Sequence, residues 1–127
     1  MLLDTNVVLR HLTGDPPAQA RRATALLSNA TPLELPDLIV AELVYALQSI
    51  YQRPRHEVAA LIRAVLSLPS VVTVDPRVLL RALQLYERHP VDFPDAYLAA
   101  VAESGDGQVA SFDRDLDRFD TITRVGP

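Results

Sequence analysis

Lysine, cysteine and tryptophan are all missing from this 127-residue chain, and Met1 is its only methionine. All 12 basic residues are therefore arginine. Without lysine there is no P-loop phosphate grip, no Schiff base and no lysine-assisted phosphorylation of an aspartate. Without cysteine there is no disulfide, thiol nucleophile or thiolate-held metal, and composition leaves the redox compartment open. Long apolar runs are lacking too. The most apolar stretch, Leu38 to Leu47, is interrupted by Glu42 and falls far short of the ~18–20 residues of a membrane span. The first residues, Met1-Leu2-Leu3-Asp4, carry no basic leader. The expectation is a cytoplasmic protein with no membrane association. Positive charge is the minority sign, 12 bases against 16 acids for a net charge of −4. That balance argues against capture of nucleic acid by bulk charge.

The length suits a single domain spanning 1–127, and no repeat, low-complexity tract or linker interrupts it. The 10 prolines are spread as punctuation between periodic segments. Leu2-Leu3 reads as a very short strand, followed by a helix over Thr5 to Leu12 that Gly14 ends. Asp15 caps a second helix with Pro16 at its first position, running to Ser28. Leu33-Glu34-Leu35 is a weak strand stopped by Pro36, and Asp37 caps a helix from Leu38 to Tyr51. Another helix runs from Arg55 to Leu68, and Val71 to Val74 is the clearest strand. Asp75-Pro76 starts a helix reaching about Arg88, and a further one spans Pro94 to Glu103. Gln108 to Ala110 is a strand, then a short helical turn, then a strand from Ile122 to Val125. Short apolar strands alternating with helices predict an α/β domain of three layers, with a parallel sheet covered on both faces. Ligands of such sheets sit beyond the carboxyl ends of the strands.

Four acids fall where that rule directs attention. Asp4 ends the first strand, Asp113 follows a later one, Asp95 opens a helix with Asp92 one turn ahead, and Glu42 is the lone charge on an apolar helix. Asp4, Asp92, Asp95 and Asp113 each have a bland reading as helix caps or first-turn acids. Glu42 resists one, because an ionised carboxylate among apolar neighbours costs several kcal/mol unless it is paired, to an arginine for instance, or bound to metal. A cluster of carboxylates persists only if protons or cations neutralise it. With oxygen ligands alone, the matching ions are Mg2+ or Mn2+, which activate water and stabilise the charge developing on a phosphodiester. His11, His56 and His89 lack zinc-ligand spacing. Asp113-x-Asp115-x-Asp117 imitates the start of a calcium loop, but Arg118 stands where glycine is required and Arg124 where the last glutamate should be. Asp115 and Asp117 are read as solvated.

These residues, in this order, resemble the PIN-domain ribonucleases, specifically the VapC-type toxins of toxin–antitoxin pairs. The resemblance runs from Leu3-Asp4-Thr5-Asn6-Val7 through the isolated Glu42 and Asp92-Phe93-Pro94-Asp95-Ala96 to Ser111-Phe112-Asp113. It implies a three-layer α/β/α PIN-like fold with a five-stranded parallel sheet flanked by helices. It also implies an acidic quartet of Asp4, Glu42, Asp95 and Asp113 holding Mg2+ or Mn2+, with Asp92 as a lesser candidate ligand. Asn6 and Ser111 match its supporting polar positions. The implied activity is metal-dependent endoribonuclease cleavage of RNA, in a homodimer silenced by a VapB-type antitoxin.

Rivals are weaker. Asp4-x-Asn6 faintly resembles the start of haloacid-dehalogenase phosphatases, and the length would suit a response-regulator receiver domain, yet both depend on a lysine. The alternative is a catalytically inactive PIN-like binding or scaffold domain, which has no physical reason to keep an uncompensated acidic cluster. Setting the quartet aside leaves twelve acids against 12 arginines, so the whole net charge can be assigned to the metal site. Arg10, Arg21, Arg22, Arg53 and Arg55 are the candidates for an RNA-facing rim, since guanidinium binds phosphate bidentately.

Overall fold

Proline and aspartate set most helix boundaries in the computed structural model, which describes every residue from Met1 to Pro127. Its contacts divide the chain into two compact units, Met1–Val74 and Asp75–Pro127.

In the first unit, α1 (Thr5–Thr13) closes on Gly14, whose φ of 72° lets its N–H reach the Arg10 carbonyl. α2 (Pro17–Leu27) starts one residue later than Asp15-Pro16 predicts, because Pro16 takes the cap position with extended backbone. β1 (Leu33–Glu34) precedes α3 (Asp37–Tyr45), where Pro36, not Asp37, stands at the cap position. The expected single helix to Tyr51 changes character at Ala46. The chain widens into a π-helical turn (Ala46–Ile50) in which the Tyr51 N–H bonds the Ala46 carbonyl, and it reverses at Gln52 with φ 54°. α4 (Arg55–Leu66) stops two residues short of expectation, and β2 (Val71–Val72) is half the predicted strand. Val40, Leu43, Val44 and Leu47, then Val58, Ile62 and Val65, repeat at helical spacing and are buried. Ser70, the one buried polar residue, satisfies its hydroxyl on the Leu27 carbonyl at 2.5 Å.

The second unit opens with α5 (Pro76–Arg88), capped by Asp75, whose Oδ1 accepts from the Arg77 and Val78 amides at 3.1 and 3.5 Å. α6 (Phe93–Glu103) packs along α5. Leu79, Ala82, Leu83 and Tyr86 of α5 and Ala96, Ala99 and Ala100 of α6 are buried, and Tyr86 meets Phe93 edge-on with ring centroids 6.1 Å apart. The alanines let the helices approach closely. Across them, Arg81 holds Glu103 through two hydrogen bonds of 2.7 and 2.9 Å, and the Thr121 hydroxyl also donates to Glu103. β3 (Gln108–Ala110), a 3-10 turn (Arg114–Arg118) and β4 (Thr123–Val125) complete the unit.

Short parallel strands alternating with helices confirm the α/β class, but the expected five-stranded sheet is not formed. β1 pairs with β2 in the register Leu33↔Val71, with Leu2 bridged to Glu34 on its other side. β3 pairs with β4 in the register Gln108↔Thr123, as a separate two-stranded parallel sheet. All five predicted segments are recognisable, yet each offers at most three ladder residues. Asp4 at the cap of α1, Pro36 and Asp75-Pro76 each end an extended run almost as soon as it begins. No helix is long and apolar enough to cross a membrane.

The capping geometry makes a paired prediction. Asp75→Ala should lower stability by about 1 kcal/mol in urea unfolding. Asp92 occupies the same position on α6 but makes no side-chain cap bond, so Asp92→Ala should cost none of this. Equal losses at the two positions would contradict this account.

Candidate functional site

In the second unit, α6 and the segment after β3 supply the acidic groups. Phe93 and Pro94 begin α6, which places Asp95 in its first turn, half-buried. The chain leaving β3 is fixed by the Ser111 N–H, which donates to the Val125 carbonyl at 3.1 Å. It then folds tightly on itself. The Ser111 hydroxyl accepts the Asp113 N–H at 2.9 Å, and Asp113 Oδ1 accepts the Asp115 N–H at 2.9 Å. Buried Leu116 anchors the 3-10 turn beyond. The result brings Asp95, Asp113 and Asp115 together, with a carboxylate oxygen of each lying within 4.8 Å of the others.

Electrostatics at this trio are unfavourable for three anions. Desolvation pushes the Asp95 carboxyl above its ordinary pKa, and the charges of Asp113, Asp92 and Asp115 push it further. The positive end of α6 acts the other way, but does not prevail. Arg118 approaches Asp115 at 3.5 Å, with both side chains about half exposed, where an ion pair contributes little. Three carboxylates this close, with Asp95 half-buried and the other two exposed, offer all-oxygen donors of the kind a hard divalent cation takes, so the residues fit Mg2+ or Mn2+.

In the first unit, Asp4 holds the cap position of α1 without any side-chain cap bond and is exposed. Capping is therefore not what its carboxylate does. Glu42 requires a correction. It is not an ion submerged among apolar residues, because on α3 Val40, Leu43 and Val44 turn inward while Leu38, Glu42 and Tyr45 face out. Its partner is a hydroxyl and not an arginine, with Thr5 Oγ1 donating to Glu42 Oε2 at 2.6 Å. Thr5 adjoins Asp4 in the chain, so the contact ties the start of α1 to the middle of α3.

The supporting residues and the arginines are placed as follows. Asn6 is exposed beside a groove of about 420 Å3 between α1 and α2, whose rim includes Arg10, Gln19 and Arg22. Arg10 Nε donates to Gln19 Oε1 at 2.9 Å. Arg21 is exposed on α2, Arg55 begins α4 half-buried, and Arg53 is paired with Glu57 at 2.9 Å.

Two residues escaped the sequence reading. Asp115, read as solvated, stands with Asp95 and Asp113. Its signal was the i, i+2 acid spacing, because an aspartate that accepts the amide two residues on folds the chain so that both carboxylates face one way. Thr5 gave no signal beyond being a hydroxyl next to Asp4.

The raised pKa of Asp95 has a definite consequence for the metal-free protein. The folded state holds this proton more tightly than the unfolded one, so stability falls as pH rises from the ordinary carboxylate range through the raised value. Asp95→Asn should therefore raise the Tm of EDTA-treated protein at pH 7, by roughly 1–3 °C. The gain should shrink as pH falls towards 4. Thermal melts across that range test it, and an unchanged or lowered Tm at pH 7 would contradict it.

Comparison with known proteins identifies the family. The PIN domain family profile matches residues 1–122. The chain is 30% identical over 138 aligned residues to Ribonuclease VapC31 of Mycobacterium tuberculosis, in both the CDC 1551 / Oshkosh and the H37Rv strains. That alignment covers 99% of this chain and 97% of the relative. Among solved structures, VapBC2 from Rickettsia felis, crystallised with a DNA fragment from its promoter, aligns over 98% of this chain and 96% of its own. Its identity is 13% and its TM-score 0.40. By family profile and full-length identity, this chain belongs to the PIN domain family, among its VapC-type members.

Proposed function

We propose that this chain is a metal-dependent endoribonuclease, the toxin component of a toxin–antitoxin pair, which hydrolyses RNA phosphodiester bonds. One observation carries the reading. Asp95, Asp113 and Asp115 converge within 4.8 Å, with the Asp95 pKa raised by desolvation and then by its acidic neighbours. Such an arrangement is costly unless a cation resolves it. The family assignment and the ribonuclease name of the relatives support the substrate class. In this reading residues 1–127 act as a single PIN domain, working in the cytoplasm as a homodimer restrained by a VapB-type antitoxin.

Asp4, Glu42, Asp95 and Asp113 are the proposed ligands of Mg2+ or Mn2+, directly or through water, with Asp115 added and Asp92 at the margin. When bound, the ion would supply positive charge against a developing phosphate oxyanion and would acidify a water. The protein's own groups do the remainder. Glu42, fixed by the Thr5 hydroxyl, presents one oxygen in a defined direction and keeps the other for a ligand or water. Ser111 shapes the turn that aims Asp113, by accepting the Asp113 amide. Asn6 orients water or ligand near the start of α1. Arg10, steadied by Gln19, and Arg22 share one groove rim, and with Arg21, Arg53 and Arg55 they would grip RNA phosphates.

Purified protein should cleave RNA in the presence of Mn2+, stop in EDTA, and resume when Mn2+ is restored. Asp4→Asn and Asp95→Asn should each reduce the cleavage rate by about a thousandfold or more, since each removes a charged ligand of the ion that carries the chemistry. Full activity of either variant, with contaminating nuclease excluded, would overturn the assignment. Calorimetric Mn2+ binding without any cleavage of RNA would favour the scaffold alternative.

A further inference from the structure

We infer that Arg124, on β4, is the positioning residue that sets the Asp113–Asp115 turn in its metal-binding shape. Three hydrogen bonds motivate this. Arg124 Nη1 donates to the Ser111 carbonyl at 3.0 Å, where the turn begins. Nε and Nη2 donate to the two carboxylate oxygens of Asp117 at 2.9 and 3.2 Å, where it ends. One rigid, planar guanidinium thus staples both ends of a segment that carries Asp113 and Asp115 between them. The Arg124 side chain is only 17% exposed, and β4 holds it in register opposite Val109 of β3. The next residue but one is Gly126, where a Cβ would stand 3.1 Å from Nη1, so the chain leaves room for the guanidinium. Asp117 gains from the pairing as well, since the hydrogen bond and charge of Arg124 hold its carboxyl below the ordinary range.

A staple at this place matters because the turn it closes is loaded with like charges. Asp113, Asp115 and Asp117 alternate over five residues, and Asp95 faces two of them. Repulsion would open the turn, and the bonds within it are to exposed groups. Arg124 neutralises Asp117, the acid outside the trio, and grips backbone at the other end. Both contacts leave the trio's oxygens available to an ion.

Charge alone predicts the opposite effect from geometry, and this makes the inference testable. The inference rests on the metal site proposed above, so the experiment has one arm for each. If Arg124 acted only as a nearby positive charge, its removal would strengthen cation binding. If it sets the turn, removal weakens binding. Arg124→Gln should weaken Mn2+ affinity in calorimetry by about tenfold or more, the range found for groups that orient metal ligands, and should lower kcat with KM little changed. Arg124→Lys keeps the charge but loses the fork, and should restore only part of the loss. In metal-free protein, amide exchange at Asp113 and Asp115 should quicken in Arg124→Gln, while the amides of α5 and α6 keep their protection and report an intact fold. Tighter Mn2+ binding by Arg124→Gln, full rescue by lysine, or unchanged exchange at Asp113 and Asp115 would overturn the inference. Absence of Mn2+ binding by the wild-type protein, with faster exchange in the variant, would instead overturn the metal site and leave Arg124 as the staple of the turn.

Discussion

Repulsion among carboxylates is the constraint around which the second unit is organised. Asp95 and Asp113 come from different elements, and Asp115 follows within the same turn, so nothing in local chain geometry obliges all three oxygens to meet. They meet because backbone bonds and packing hold α6, β3 and the 3-10 turn in place against that repulsion. Desolvation first, and then the charges of Asp113, Asp92 and Asp115, oppose the charge on Asp95 and raise its pKa. A protein selected for stability alone would disperse such groups or pair each with an arginine. Here arginines are plentiful, yet the close pairs of Arg53, Arg81 and Arg124 serve other acids, and Arg118 reaches Asp115 only at 3.5 Å.

The pairs show a division of labour. Arg81 binds Glu103 bidentately, and Thr121 binds the same carboxylate, so one group at the end of α6 is tied to α5 and to the segment before β4. Arg124 binds Asp117 and the Ser111 carbonyl, tying β4 to the turn after β3. Both arginines keep less than a third of the side chain exposed, where charge-assisted bonds are screened less than at the open surface. Glu103 responds as expected, its carboxyl lowered chiefly by the Arg81 hydrogen bond. Glu103 and Asp117 are thus held closely by arginine, whereas in the trio Arg118 reaches Asp115 only loosely, at 3.5 Å with both side chains about half exposed. The two kinds of acid look alike in composition and are told apart only by their partners.

How much of this is legible in sequence depends on the range of the physics involved. Asp75-Pro76 and Gly14 report helix ends through local backbone preference, and both act as expected. Asp95 and Asp113 are identified by position relative to a helix start and a strand end, again local information. Glu42 shows the limit of counting neighbours along the chain. Nine flanking apolar residues imply burial, but a helix distributes them around its axis, and Glu42 shares its outward face with Leu38 and Tyr45. The five-stranded sheet fails for a related reason. Apolar content predicts the five segments, but not that caps and prolines would leave each with three ladder residues at most, and the first with Leu2 alone. Asp115, Thr5 and Arg124 depend on contacts that no periodicity encodes: a turn, a helix crossing, and a strand register.

The missing lysine acquires a sharper meaning in this light. An ammonium makes a point contact, whereas the work done by Arg81 and Arg124 requires two or three donors fixed in one plane. Arg53, Arg81, Arg118 and Arg124 are each engaged with an acid. Pairing them removes equal numbers of positive and negative charges, so the net −4 of the chain is untouched and still falls on acids outside these pairs. The balance of charge is therefore a poor guide to what the protein binds, and its distribution a better one. Arginine paired with an acid is less available to phosphate, so in the proposed reading Arg53 would contribute least of the five RNA-facing candidates and exposed Arg21 and Arg22 most. A rim of so few cations would contribute modest, salt-sensitive affinity, and specificity would then rest on the shape of the RNA presented to the acidic site rather than on charge.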